Sequence, residues 1–110
     1  MKKFMLLFVG FELQPDDGSA RTQDYMRGWG EWLAGLARRG VIESASRFDW
    51  SGKVVKKESA IDLHLQREDI GGYMLIKAES LEEAIKIAQQ APHMALGGTV
   101  IVRPCMEVNG

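Results

Sequence analysis

Two segments of the chain, Phe4-Met5-Leu6-Leu7-Phe8-Val9 and Tyr73-Met74-Leu75-Ile76, are apolar at every position. Side chains along a strand alternate between faces, so a strand made from either segment must be covered on both sides. Four other stretches carry strand patterns with apolar residues at only some positions. Val41 to Phe48 has interrupted apolar character, and the turn formers Asp49-Trp50-Ser51-Gly52 follow it. A strand pair is expected to start at Lys53-Val54-Val55. From Ile61 the alternation is strict, with Ile61, Leu63 and Leu65 on one side and Asp62, His64 and Gln66 on the other, which predicts one dry and one wet face. Thr99 to Met106 alternates again, Val100 and Val102 against Thr99, Ile101 and Arg103.

Between the strands the period changes. Tyr25, Met26, Trp29, Trp32, Leu33 and Leu36 recur at spacings of three and four and fall within an arc of about 120° on a helix. Thr22 is the expected N-cap, and Gly40 the left-handed stop. Ser80-Leu81-Glu82-Glu83 has the spacing of a capping box and opens a second helix. Its expected apolar face is Leu81, Ala84, Ile85 and Ala88, and Pro92 ends it. Gln14 to Ser19 reads as a loop.

The element order is strand, helix, strand, inserted hairpin, strand, helix, strand. This predicts an α+β, ferredoxin-like βαββαβ fold with an inserted β-hairpin and an antiparallel sheet. In that topology the first and third main strands are central, and here they are the two all-apolar ones. Right-handed crossovers place both helices on one face, leaving apolar side chains bare on the other. Burying each stabilises by roughly 1.5–3 kcal/mol, so a second copy is expected to stack sheet against sheet as a homodimer, a dimeric α/β barrel.

Composition narrows the function classes. At 110 residues the chain fits a single domain spanning 1–110. With 14 Lys and Arg against 15 Asp and Glu, the net charge of -1 offers a phosphate backbone no overall attraction, so direct nucleic-acid binding is not expected. The single cysteine, Cys105, excludes an internal disulfide and reads as an inert thiol. The apolar run after Met1-Lys2-Lys3 is too short for a signal or a membrane span, so the expected compartment is the cytoplasm.

The opening Met1-Lys2-Lys3-Phe4-Met5-Leu6-Leu7-Phe8, the helix segment Trp29 to Leu36, and the tail from Gly71-Gly72-Tyr73 through Ala78-Glu79-Ser80-Leu81-Glu82-Glu83-Ala84 and Pro92-His93 to Gly97-Gly98-Thr99-Val100-Ile101-Val102-Arg103-Pro104 together resemble the YCII-related, or DGPF-domain, family. The resemblance covers nearly the whole chain. It implies a dimeric α/β barrel of ferredoxin-like protomers, within a superfamily holding monooxygenases, isomerases and dismutases. The Asp-Gly-Pro-Phe signature is absent: the chain carries Glu58-Ser59-Ala60-Ile61-Asp62-Leu63-His64-Leu65 before its Gly-Gly-Tyr turn. Another branch pairs a first-helix histidine with an aspartate after the second strand; here Gly28 or Trp29 takes the histidine position and Asp49 stands near the aspartate.

Several side chains are candidates for chemistry. His93 follows the helix-ending Pro92, matching a Pro-His pair of the family, and with Asp49 forms the catalytic candidate pair; the plainer role for His93 is capping the last carbonyls of its helix. Asp62 and His64 project from one strand face and could share a proton or a ligand, or form the solvated side of the hairpin. Arg103 on a mostly apolar strand suits an anion, such as a carboxylate, or a structural ion pair. Trp29 and Trp32 could wall a pocket for a planar ligand or serve as core. No metal set and no cofactor motif is found: Gly71-Gly72 and Gly97-Gly98 lack phosphate-loop spacing and read as bends or close strand approach. Two functions follow as expectations. One is an enzyme-like binder of a small carboxylate-type ligand in a pocket between helices and sheet; the other is a noncatalytic dimeric binding or regulatory module. For an enzyme, at least two of His64, His93, Asp49 and Asp62 should converge.

Overall fold

A computed structural model describes residues 1–10, 20–49, 51–66 and 68–107, with the side chains of 20–22 left out. The expected loop at 14–19 and the Trp50 position of the expected turn lie outside these residues. The elements are β1 (Lys2–Val9), α1 (Ala20–Arg38), β2 (Ile42–Arg47), β3 (Lys53–Lys56), β4 (Ser59–Asp62), β5 (Ile70–Ala78), α2 (Leu81–Gln89), a short 3-10 helix (Pro92–Leu96) and β6 (Thr99–Pro104). The main sheet has four strands in the order β2-β5-β1-β6, and every pair in it is antiparallel. This is the expected ferredoxin-like topology, with the two all-apolar strands at the centre. Within one chain the sheet is open, and closing a barrel needs a second sheet.

Burial divides the central strands by face. Phe4, Leu6 and Phe8 of β1 and Met74, Ile76 and Ala78 of β5 are buried, and Trp29, Trp32, Leu33, Ala84 and Ile87 from the helices belong to the same core. Their alternates on the other face, Met5, Leu7, Val9, Tyr73 and Leu75, are only partly covered. Lys3, Glu43 and Lys77 hold one end of that face, where the Glu43 carboxylate sits 3.8 Å from Lys3 Nζ and 3.4 Å from Lys77 Nζ.

The helix ends follow the sequence in most respects. Helix α1 starts at Ala20, so Thr22 lies in its first turn rather than at the cap. At the other end Gly40 has φ +69°, the Gly40 amide donates to the Ala37 carbonyl, and the Val41 amide donates to the Leu36 carbonyl. These two bonds form the Schellman stop that a glycine in this position allows, with Leu36 and Val41 both buried beside it. At α2 the Glu83 amide donates to Ser80 Oγ at 3.2 Å, while the Glu83 carboxylate reaches one residue further back, to the Glu79 amide. The buried face of α2 is Ala84, Ile87 and Ala88. Leu81 and Ile85, expected in the core, are each 39% exposed. The helix lies on the sheet rolled away from that pair, so periodicity located the helix but misjudged its rotation.

The hairpin departs most from expectation. Strands β3 and β4 pair only with each other, Val54 opposite Ile61 and Lys53 opposite Asp62, and form a separate two-stranded sheet. Every residue from 51 to 64 is exposed, Val55 and Ile61 strongly so at 72% and 60%. The expected dry face is therefore exposed, because among the described residues no helix or further strand lies over it.

Candidate functional site

The register of the main sheet explains why a cavity forms at one end. Arg47, Gly72, Phe8 and Val100 stand in one row across β2, β5, β1 and β6. Phe8 is buried among the helices, so this row faces them. Gly72 contributes no side chain, and a Cβ there would come 2.8 Å from the Ser46 carbonyl oxygen, so the close approach of β2 excludes larger residues. Bare backbone between Phe8 and Arg47 thus floors a half-open cavity of about 310 Å³. Tyr25, Met26, Trp29 and Leu33 of α1 roof it, with Arg47, Tyr73 and His93 also in its lining.

The walls are aromatic and mutually edge-on. The Phe8 ring lies 5.3 Å from Trp29 at 71° and 5.7 Å from His93 at 86°, while Tyr25 lies 6.3 Å from Trp29 at 81°. Edge-to-face contacts of this kind add roughly 0.5–1.5 kcal/mol each beyond area burial and fix ring orientation. Trp32 packs on Phe8 and Trp29 at 6.4 and 5.4 Å but is not among the cavity's lining residues, and its indole N–H is buried without a hydrogen-bond partner among the described residues.

His93 is 3% exposed, and its Nε2 stands 2.7 Å from the Val9 carbonyl oxygen. That oxygen can only accept, so Nε2 carries the proton and Nδ1 is the ring nitrogen left to engage a ligand. The partner is a strand carbonyl 84 residues away in sequence, not the helix end expected for it. The ring is held from behind as well. The Gly97 amide donates to the Met94 carbonyl and the Gly98 amide to the His93 carbonyl, each at 3.0 Å, with Gly97 at φ +75°. A Cβ at Gly98 would lie 2.3 Å from the imidazole Cδ2, so this glycine makes room for the ring.

Burial pushes the Tyr25 phenol above its usual value; the neighbouring Trp29 indole and the Arg47 charge act in the opposite sense but do not prevail. The Tyr25 hydroxyl, beside the Trp29 indole, is buried without a hydrogen-bond partner by geometry among the described residues. The site therefore presents a neutral phenol, a guanidinium, and an imidazole with one committed nitrogen.

Of the residues singled out in the sequence, Trp29 and His93 meet in this cavity. Asp49 is exposed beyond the end of β2 and is not among the lining residues. Arg103 pairs across from Met5 on the face away from the helices and is exposed. Asp62 forms an ion pair with Lys53 on the hairpin, and His64 is exposed just past β4. The cation that does line the cavity, Arg47, was missed. Its one sequence signal is an arginine in a run of small residues, Ser44-Ala45-Ser46, ending the strand that pairs with Gly71-Gly72. Among the described residues no group of three His, Cys, Asp or Glu side chains could hold a metal ion, and no helix is long and apolar enough to cross a membrane.

Fold and site together define a ferredoxin-like protein with an aromatic, small-molecule-sized cavity at one end of its sheet. The YCII-related domain model matches residues 7–109, and the chain belongs to that family. No curated protein matches it. Among solved structures it is similar to 5-chloro-2-hydroxyhydroquinone dehydrochlorinase (TftG) from Burkholderia phenoliruptrix AC1100 in complex with 2,5-dihydroxybenzoquinone. The TM-score is 0.59 at 16% identity, over 96% of this chain and 95% of that one. A de novo designed ferredoxin-fold protein, LFR1 1, aligns with a TM-score of 0.35 at 12% identity, over 98% of this chain and 87% of that one.

Proposed function

We propose that this chain is an enzyme-like binder of a small planar anion, of carboxylate or acidic hydroxyquinone type, in the cavity between α1 and the sheet, and that it works as a cytoplasmic homodimer. The observation that carries the ligand reading is a cavity of about 310 Å³ that combines flat aromatic walls with a guanidinium. That volume suits a single substituted ring. Trp29 and Phe8 contact its faces or edges, and Arg47 pairs with its acidic group through a planar fork that matches two oxygens. The hydroxyquinone bound by the dehydrochlorinase belongs to this class of ligand, and the shared fold supports the comparison. His93 is the site's group for proton transfer, through Nδ1. Asp49, two residues beyond Arg47, is the carboxylate closest in sequence to the guanidinium and the candidate second catalytic group.

Of His64, His93, Asp49 and Asp62, only His93 lines the cavity of one chain, which favours binding as the primary property. The noncatalytic module is the second reading on the same observation. The homodimer rests on the half-covered apolar face of β1 and β5, rimmed by Lys3, Glu43 and Lys77.

Titrating the protein with salicylate and with 2,5-dihydroxybenzoquinone, followed by quenching of the fluorescence of its three tryptophans, tests the ligand reading. Saturable quenching is expected, weakened at least about tenfold by Arg47→Gln, because a charge-assisted pair is worth roughly 1.5–3 kcal/mol. Arg103→Gln, on the opposite face, should leave the affinity unchanged. Equal loss in both variants, or no saturable quenching by either compound, contradicts the site.

A further inference from the structure

Two hydrogen-bonding groups of the cavity have fixed and opposite character. His93 Nε2 donates to the Val9 carbonyl at 2.7 Å, so Nδ1 of the neutral ring can only accept. Gly98 packs against the Cδ2–Nε2 edge of the imidazole, which leaves the Nδ1 edge on the side away from that backbone. Tyr25 is the reverse case. Burial outweighs the Arg47 charge and keeps the phenol protonated, and its hydroxyl is buried without a hydrogen-bond partner among the described residues. A buried hydroxyl without an acceptor is costly, and the cost is recovered when a ligand brings one. The neighbouring hydroxyl in the lining, Ser46 Oγ, already donates to the Arg47 carbonyl at 3.3 Å.

These groups stand at opposite ends. Arg47, Gly72 and Phe8 are successive positions across β2, β5 and β1, so Arg47 and Phe8 lie two strand spacings apart, about 10 Å. The His93 ring packs on Phe8 and bonds to β1, whereas the Tyr25 hydroxyl feels the charge of the Arg47 guanidinium. Between the two ends the floor is the bare backbone of Gly72, walled by the Trp29 and Phe8 rings. The cavity donates at its β2 end and accepts at its β1 end.

We propose, resting on the ligand reading above, that Tyr25 and Arg47 together grip the acidic group of the ring while His93 Nδ1 accepts from a hydroxyl across the ring, so that the site selects para-hydroxylated aromatic acids. Tyr25 is then a specificity-determining residue as well as a wall. A ring carrying the acid alone leaves Nδ1 without a donor. A ring whose hydroxyl adjoins the acid turns that hydroxyl inward onto its own carboxylate. A site built to hydrogen-bond a ligand hydroxyl rejects the analogue lacking it more strongly than an apolar pocket rejects a change of size.

Isothermal titration calorimetry with 4-hydroxybenzoate, 4-fluorobenzoate and salicylate, on the wild type and on Tyr25→Phe, tests this. Fluorine is close to a hydroxyl in size and cannot donate. The wild type should bind 4-hydroxybenzoate at least about ten times more tightly than either other acid. Tyr25→Phe keeps the ring against Trp29 and removes only the hydroxyl. It should weaken 4-hydroxybenzoate and 4-fluorobenzoate alike, at least about fivefold, because both retain the carboxylate. The unfolding midpoint of the ligand-free variant should not fall, since the hydroxyl has no bond to lose among the described residues.

Equal affinity of the wild type for all three acids overturns the accepting end at His93. Unchanged affinity in Tyr25→Phe, or a lowered midpoint in its ligand-free form, overturns the role of Tyr25. Each of these results overturns the selectivity and leaves the binding site itself standing. No saturable binding of any of the three acids overturns the carboxylate site, and the selectivity with it.

Discussion

Gly98→Ala is expected to lower the unfolding free energy by about 3–5 kcal/mol. The added methyl would sit 2.3 Å from His93 Cδ2, 2.4 Å from Nε2 and 2.7 Å from the His93 carbonyl oxygen. The last of these is backbone, so a side-chain rotation cannot relieve it. The ring has no free direction either: Phe8 stands against it edge-on, and its Nε2 is bonded to the Val9 carbonyl. Displacing the ring adds the cost of a buried carbonyl without a donor to the overpacking strain. Denaturant unfolding measures the effect, and Gly30→Ala supplies the contrast. Nothing lies within 4 Å of a Cβ at Gly30, and the residue is inside α1, so that variant should gain about 0.5–1 kcal/mol. If both glycine variants shift stability alike, the close packing of His93 against Gly98 is not what fixes this corner.

Leu7→Asp is expected to abolish the proposed homodimer, with association weakened at least a hundredfold. Leu7 sits mid-strand in β1, between Tyr73 of β5 and Ile101 of β6 on the half-covered face. In a stacked pair of sheets the twofold axis brings this region of both copies together, so one substitution places two carboxylates in a desolvated contact. An unpaired buried charge there costs several kcal/mol. Within the monomer the position is only partly covered, so the chain should still fold, and the far-UV spectrum checks that. A Leu7→Asp protein that associates as tightly as wild type means the sheet face is not the interface.

The scaffold was legible in the sequence because its signals are local. An unbroken apolar run marks a strand inside a sheet, and both such runs proved to be the central strands, though one face of each is only half covered within the chain. Gly40 and Ser80 act through bonds to residues within a few positions of themselves, so their roles could be read from spacing alone. The misjudged features all depend on what lies opposite. The alternation at Ile61 and Leu63 announces an apolar face without saying which molecule covers it. The 81/85 pair and the 84/87/88 set lie on adjoining arcs of α2, and the contact with the sheet, absent from the periodicity, decides between them. The cavity is the extreme case. Its guanidinium at 47, its open floor at 72 and its histidine at 93 come from three separate elements, and the Val9 bond that orients the imidazole spans 84 positions. Trp29 was found because the same stripe that builds the core also walls the cavity.

Sedimentation equilibrium of the wild-type protein at micromolar concentration is the most direct test of the idea that the half-covered sheet face is covered by a second copy of the chain. The expected species has twice the 12.3 kDa mass of the chain. A folded chain that sediments at 12.3 kDa across that range would contradict the account.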